Sequence, residues 1–155
     1  MTKRAFVGMM MLKQEGKTMA KIVDTKEYLD MVCGLLREGH THVPVTVAGT
    51  SMTPFFDPGD TVYLDLLQRP VQVGDVLLFA RLGGKYVLHR VVRGFPDGSL
   101  ELLGDAQIRS ERVLPDQVRA IVTAVRRGEK LLDDRSLRWR FFRGPWRYVR
   151  RLRPW

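Results

Sequence analysis

Residues 75–92 read DVLLFARLGGKYVLHRVV. Within this stretch, two runs of apolar residues that favour β-structure lie on either side of the pair Gly83 and Gly84. Two such runs joined by a short glycine-containing turn are typical of a β-hairpin. We therefore predict two antiparallel strands, over residues 75–80 and 86–92.

Short β-rich runs continue on both sides of this hairpin. Four of them lie at residues 43–47, 61–64, 99–103 and 118–125. The turn-forming pairs Pro58–Gly59 and Asp97–Gly98 precede two of these runs. Six short strands at close spacing, with turns between them, are typical of an antiparallel β architecture. We predict a mainly β fold, with one antiparallel β domain over residues 43–127.

The segments outside this domain have a different character. Apolar residues recur at helical spacing between residues 25 and 38, and Gly39 is a suitable helix stop, so we expect a packing helix over 25–39 with no chemistry of its own. Residues 1–24 hold a short apolar run without a signal-peptide cleavage site, and we expect a flexible N-terminus there. Residues 128–155 form a basic aromatic tail that we expect to be helical or irregular.

The net charge of +9 is concentrated at the C-terminus. From Arg135 onward there are eight arginines and no acidic residue, whereas the other 134 residues hold 18 basic and 17 acidic side chains. The body is therefore nearly neutral. This asymmetry indicates an anionic surface near the C-terminus rather than a generally basic protein.

Composition excludes several kinds of site. The single cysteine, Cys33, cannot form an internal disulfide or a cysteine-based zinc site, and its apolar neighbours indicate a core position. His40 and His42 have no acids or cysteines near them in the sequence, so we interpret them as loop residues and expect no metal and no cofactor. No run approaches the ~20 apolar residues that a membrane-spanning helix needs.

The segment that carries chemistry is residues 47–60, which read VAGTSMTPFFDPGD. Ser51 follows Gly49 at the end of a predicted strand and precedes a proline-containing turn. The strand end would present the hydroxyl at an exposed edge, and Gly49 would let a substrate backbone come close. The short Gly-x-Ser-Met pattern alone would also fit an ordinary loop serine.

Over its whole length this run resembles the nucleophile box of type I signal peptidases and of the related self-cleaving SOS-response repressors. The shared positions are Gly49, Ser51, Met52, Pro54, Gly59 and Asp60. The resemblance implies that Ser51 is the nucleophile and that Met52 is a buried packing residue beside it. Many bacterial signal peptidases have an oxyanion-binding serine where this chain has Gly49, the pattern of the repressor branch. The Ser51 N–H remains as an oxyanion donor.

The run from residue 74 to 98 is similar to the general-base box of the same family. Most bacterial members have a lysine before the arginine, and here that position holds His89, followed by Arg90. The histidine matches the subgroup typified by endoplasmic-reticulum and archaeal signal peptidases. An imidazole with a pKa of about 6.5 is neutral near pH 7 and able to take the serine proton. Lys85, in an exposed Gly-Gly-Lys turn, is the alternative base, and a buried structural role is the alternative for His89.

The run LGDAQIRSE at residues 103–111 resembles the last family box, a Gly-Asp pair followed by a serine. The resemblance implies that Asp105 orients the base or fixes the active-site loops, and that Ser110 hydrogen-bonds near it. The box departs from the family pattern at Ala106, where an asparagine is usual, and at Arg112, where an acid is usual. A simple turn at Asp105 remains the alternative.

Arginines alternate with aromatic and apolar residues over residues 136–155. These apolar residues are Trp139, Phe141, Phe142, Trp146, Tyr148, Leu152 and Trp155. Gly144 and Pro145 are expected to divide the segment into two short helical pieces. The composition suits an anionic membrane surface, with packing of the aromatic rings on the β domain as the alternative. Nucleic acid is the least favoured partner.

Together these patterns predict a serine endopeptidase that cleaves a peptide or precursor protein through Ser51, His89 and an acyl-enzyme. The substrate would bind in extended form, as an added strand. The alternative is an inactive peptide- or partner-binding module of the same signal-peptidase/SOS-repressor-like fold, with a membrane-surface tail. The resemblance covers residues 43–127 and includes neither a signal-peptidase anchor nor a repressor's DNA-binding helices. We expect a cytoplasmic or peripherally membrane-associated protein.

Overall fold

The structure is a computed structural model that describes the backbone of residues 7–14 and 17–149 and the side chains of residues 25–149. The elements, in chain order, are β1 (Val7–Gln14), β2 (Lys17–Asp24), α1 (Thr25–Arg37), β3 (Val43–Thr46), β4 (Thr61–Asp65), β5 (Val76–Ala80), β6 (Tyr86–Gly94), β7 (Leu100–Leu103), β8 (Glu111–Val113), a 3₁₀ turn (Pro115–Gln117), β9 (Val118–Arg127), β10 (Lys130–Leu132), α2 (Leu137–Arg143) and α3 (Trp146–Val149).

The protein is mainly β, as predicted. Within the described residues one sheet has eight strands in the order β3-β4-β9-β5-β6-β7-β8, and β10 pairs with β9. Every pairing in it is antiparallel. The hairpin that the sequence indicates at 75–92 is β5–β6, with Leu78 opposite Leu88. The four other predicted strands and the helix that precedes the domain also occur, with ends within two residues of the predicted ones.

Three strand features were not predicted. β1 and β2 form a separate two-stranded antiparallel sheet in which Val7 faces Asp24 and Gln14 faces Lys17, where a flexible N-terminus was expected. The two short strands β8 and β10 were also missed. Each has only three residues, so period-2 alternation is too brief to be recognised in the sequence. Their pairing with β7 and β9 defines them.

The predicted helix packs on the domain through one face. Its buried residues are Leu29, Val32, Cys33 and Leu36. Cys33 is therefore a core residue, as the sequence indicated. The helix ends at Arg37, and Gly39 follows with a φ of +99° that suits glycine; the N–H groups of Gly39 and His40 donate to the carbonyls of the last turn.

Side chains on the two faces of the sheet enter two separate cores. The main core lies between the sheet, α1 and the C-terminal helices, whereas a smaller core lies on the opposite face. Alternation along β6 places Leu88 against the main core, and Val87 and Val91 against the smaller one. By the same alternation His89 and Arg90 lie on opposite faces.

The C-terminal segment forms two short helices that Gly144 and Pro145 separate, as expected. Ser136 caps α2, because its hydroxyl oxygen accepts a hydrogen bond from the Trp139 N–H. Trp139, Phe142 and Trp146 are buried in the main core, so these rings pack on the β domain. In the described part of the chain, no helix has the length and apolar character to cross a membrane.

Candidate active site

The segment that holds Ser51 is a loop closed at its base. Val47 and Asp60, at the two ends of the loop, continue the β3–β4 pairing through a hydrogen bond from the Val47 N–H to the Asp60 carbonyl of 2.8 Å. The buried Asp60 carboxylate accepts hydrogen bonds from Arg127 on β9, the shortest 2.7 Å, and one from the Asp57 N–H. These contacts fix both ends of the loop to the sheet.

Three apolar side chains anchor the middle of the loop. Met52, Phe55 and Phe56 are buried in the main core. The Phe55 ring lies 5.3 Å from Trp139 and 4.9 Å from Phe142, centroid to centroid. The burial expected for Met52 is therefore observed, and the loop rests on the C-terminal helices.

Ser51 lies at the accessible side of this loop. Its side chain is half-buried. A Cβ added at the exposed Gly49 would meet nothing within 4 Å, so space beside the serine is open. Within residues 25–149, the Ser51 N–H and hydroxyl have no hydrogen-bond partner. Neither group is committed to a contact within this part of the protein.

A backbone contact joins the Ser51 loop to the turn after β7. The Ala106 N–H donates to the Ser51 carbonyl at 2.9 Å. Gly104 approaches the same carbonyl so closely that a Cβ there would lie 2.6 Å from the oxygen. A glycine is required at this position, because any larger residue would push the serine loop away.

The sheet register brings this contact next to His89. Arg90 on β6 faces Leu103 on β7, and Val91 faces Leu102. If this register is continued by one residue beyond the end of β7, Gly104 falls opposite His89. The Ser51 carbonyl therefore contacts Gly104, the residue that the continued register puts opposite His89.

His89 is buried in an apolar setting with one carboxylate. Its side chain is 2% exposed, and its ring lies 5.8 Å from the Phe79 ring. Nδ1 lies 3.2 Å from a carboxylate oxygen of Glu111 on β8, without the geometry of a formed hydrogen bond. Burial lowers the pKa of His89 to about 4; Glu111 opposes this shift, and Arg81 adds to it. The imidazole is therefore neutral near pH 7.

Glu111 is held by a bidentate ion pair. The Arg81 guanidinium donates to its two carboxylate oxygens at 3.0 and 2.7 Å. These hydrogen bonds hold the pKa of Glu111 below its ordinary value. The carboxylate beside His89 is therefore ionised and fixed in direction.

Asp105, the expected orienter of His89, instead binds Arg90. Both of its carboxylate oxygens accept hydrogen bonds from the Arg90 guanidinium, at 2.8 and 2.7 Å, and both residues are buried. Arg90 also donates to the Gly74 carbonyl and lies over the Phe55 ring. Since neighbouring residues of a strand point to opposite faces, the partner of Arg90 is separated from the His89 side chain. Asp105 thus ties the turn after β7 to β6 through Arg90.

Two other sequence candidates have exposed side chains, unlike the buried His89. The exposed Ser110 donates a hydrogen bond to Glu101 at 2.5 Å. Lys85 is exposed at the β5–β6 turn, as its context indicated. No hydrogen bond joins Ser51 to His89 within residues 25–149. In unliganded enzymes, catalytic hydrogen bonds are often longer than in the complex with substrate.

Sequence reasoning missed Glu111. The family pattern led to an acid two positions after Ser110, where Arg112 stands, and the acid one position earlier was passed over. The run Glu111-Arg112-Val113 has no alternating pattern of its own, so the sequence offered no local signal for this strand. Recognising β8 would have placed Glu111 and Val113 on one face of the sheet.

The described residues contain no cluster of His, Cys, Asp and Glu suited to a metal ion. Nδ1 of His42 lies 2.7 Å from a carboxylate oxygen of Asp65, at hydrogen-bonding distance. His42 is one of the residues that line a wide cleft of about 570 Å³ between β9 and α2. Neither Ser51 nor His89 lines this cleft. This cleft is separate from the candidate active site.

Comparison with known proteins gives one finding. A family model described as Peptidase S24-like matches residues 9–125 of this chain. The search of curated proteins gave no match.

Proposed function

The chain belongs to the Peptidase S24-like family, and on that basis we propose that it is a serine endopeptidase with Ser51 as nucleophile and His89 as general base. The observation that carries the proposal is the contact between the Ser51 carbonyl and Gly104, the residue that the register sets opposite His89. This contact supports a serine and an imidazole at the same end of the sheet.

The chemistry follows the acyl-enzyme route. His89 takes the proton from Ser51 Oγ as the oxygen attacks the scissile carbonyl carbon, and the amine then leaves with that proton. Water next attacks the ester, again giving its proton to His89, and the second product is released as Ser51 recovers its proton. The Ser51 N–H is a candidate donor to the oxyanion.

Glu111 is the positioning residue in this proposal. It faces Nδ1 of His89 at 3.2 Å, and Arg81 holds it in place. A carboxylate on that side favours the tautomer with the proton on Nδ1 and leaves Nε2 as the accepting nitrogen. This is the part that the sequence assigned to Asp105.

The substrate would be a peptide or precursor protein in extended form. β3 lies at one edge of the sheet, and the chain runs from it directly into the Ser51 loop. An extended peptide adding to such an edge would have the open side of Gly49 next to it. The cleft beside α2 is not needed for this mode.

Cleavage of peptides tests the proposal. We expect the full chain to cleave members of a random peptide pool, with products identified by mass spectrometry. Ser51→Ala and His89→Ala should each abolish cleavage. The unfolding temperature of Ser51→Ala should equal that of the wild type. Ser110→Ala and Lys85→Ala, an exposed serine and an exposed lysine, are the matched controls and should cleave normally.

Full cleavage by either site variant would refute the assignment. Loss of cleavage in Lys85→Ala, with His89→Ala active, would transfer the role of base to Lys85. A folded wild-type chain that binds peptides from the pool without cleaving any would instead favour the inactive binding module.

A further inference from the structure

The helix α2 has a second apolar side that faces away from the protein. Successive residues of an α-helix are about 100° apart around its axis. Trp139 and Phe142 form the buried side, so Leu137 and Phe141 lie on the opposite one. Leu137 is 81% exposed and Phe141 is 39% exposed. Adjacent exposed apolar side chains that border charged residues are typical of an interaction surface.

Arginines border this outward apolar ridge. By the same helical geometry, Arg138 and Arg140 lie on either side of Leu137 and Phe141. Arg147 continues the basic character on α3, next to the exposed Tyr148 and Val149. The residues of this outer surface, called here the tail surface, are Leu137, Arg138, Arg140, Phe141, Arg147, Tyr148 and Val149.

The charge of the tail surface is uncompensated. Residues 135–155 contain no acidic residue. Among the residues that the structure describes, no carboxylate lies within ion-pair distance of Arg138, Arg140 or Arg147. A partner that fits must therefore be anionic and must also accept apolar side chains.

The tail surface is rigidly joined to the rest of the molecule. Trp139, Phe142 and Trp146 anchor it in the main core. Arg138 donates a hydrogen bond to the Pro54 carbonyl in the Ser51 loop. The ridge therefore needs no folding step before it binds, and its ordering cost is low.

We propose that the tail surface binds the surface of an anionic phospholipid bilayer. Leu137 and Phe141 enter the boundary between headgroups and acyl chains, and the flanking arginines contact lipid phosphates. An exposed apolar ridge favours a bilayer over nucleic acid, since phosphate-backbone binding needs the arginines alone. The segment has both roles on different residues: Trp139, Phe142 and Trp146 pack in the core. The outward residues Leu137 and Phe141 would contact the bilayer.

Sedimentation with vesicles tests the proposal. We expect the full chain to sediment with phosphatidylglycerol–phosphatidylcholine vesicles and not with pure phosphatidylcholine, at physiological ionic strength. The variant Leu137→Glu/Phe141→Glu should weaken partitioning onto the vesicles at least about tenfold, because two apolar side chains that would enter the bilayer are lost. Leu82→Glu, at an exposed leucine in the β5–β6 turn, is the matched control and should sediment as the wild type does.

Two further variants keep the test decisive. Phe141 touches the rings of Phe142 and Trp146, so Leu137→Glu alone is the variant that leaves the core intact, and it should also weaken binding. Arg140→Gln/Arg147→Gln should weaken it too, unlike the exposed pair Arg37→Gln/Arg109→Gln.

Three results would overturn the proposal: no sedimentation with anionic vesicles, sedimentation unchanged by Leu137→Glu, or binding of duplex DNA or RNA through the same arginines without binding of vesicles. Peptide cleavage has no part in the readout, so the outcome is independent of the proposed peptidase activity.

Discussion

His89 has an unusual setting for a strand residue, because an ionisable ring lies in an apolar core beside one fixed carboxylate. Burial disfavours the imidazolium and lowers the pKa of His89 to about 4, although Glu111 opposes the shift. A base must be unprotonated before it can act, and a lowered pKa keeps His89 unprotonated over a wider pH range. The same setting makes it a weaker base than an exposed histidine.

Activity should therefore depend little on pH between 7.5 and 5.5. Since the pKa of His89 lies below this range, kcat/KM for peptide cleavage should stay nearly constant. A histidine with an ordinary pKa near 6.5 would lose about tenfold over the same interval. A tenfold fall, with the protein still folded by circular dichroism, would contradict the buried setting of the base.

Glu111→Gln tests the positioning role. The variant keeps the size of the side chain but removes the charge that faces His89. We expect kcat to fall by at least about tenfold with KM unchanged, because the imidazole loses its preferred tautomer and direction. Glu101→Gln, on the neighbouring strand, is the matched control. If Glu111→Gln lowers the unfolding temperature but leaves kcat unchanged, Glu111 has a structural role only.

At the scale of elements, the site depends on the turn that follows β7. Gly104 allows the Ser51 carbonyl to come within a distance that a side chain would block, and Ala106 donates a hydrogen bond to that carbonyl. Asp105, between them, ties the turn to Arg90 on β6. The serine loop is thus located by a turn from another part of the chain.

Gly104→Ala should displace the Ser51 loop. A Cβ at this position would also lie 2.8 Å from the Gln107 side chain, so relief must come partly from the serine backbone. We expect kcat/KM to fall at least about tenfold and the free energy of unfolding to fall by about 1–3 kcal/mol. Gly94→Ala is the control, since its new Cβ would make an ordinary contact of 3.9 Å with Leu100. An unimpaired Gly104→Ala enzyme would disprove the contact.

Elements with a long enough pattern could be predicted from the sequence. The β5–β6 hairpin is evident from two apolar runs about Gly83 and Gly84, and α1 from its apolar period. The three-residue β8 was missed, and with it the placement of Glu111. A short strand is specified by its partner, here β7, and not by its own residues.

At the scale of the whole molecule, the C-terminal segment from residue 128 packs with the β domain over residues 43–127. The sequence analysis had treated the two as separate parts of the chain. β10 pairs with β9, and three aromatic rings of α2 and α3 complete the main core beneath the Ser51 loop. The sequence offered membrane binding and packing as alternatives for this segment. Its buried rings pack in the main core, and its outward residues form the tail surface. Which residues are buried depends on how the helices are oriented on the sheet, and composition alone does not determine this.

The relative position of Ser51 and His89 could not be predicted from the sequence either. Ser51 and His89 could be nominated from local motifs, because each stands in a recognisable run of residues. Their relation in space depends on the register between β6 and β7 and on the fold of the Ser51 loop onto Gly104. Long-range pairing of this kind is not encoded in any single stretch.

Covalent labelling with a fluorophosphonate, followed by peptide mapping, tests the central claim most directly. An activated serine is required for this reaction, so we expect a single adduct on the peptide that contains Ser51, with none in Ser51→Ala and at least about a hundredfold slower labelling in His89→Ala. Ser110→Ala should label at the wild-type rate. A folded wild-type chain that stays unlabelled at Ser51, or that labels equally fast without His89, would contradict the account.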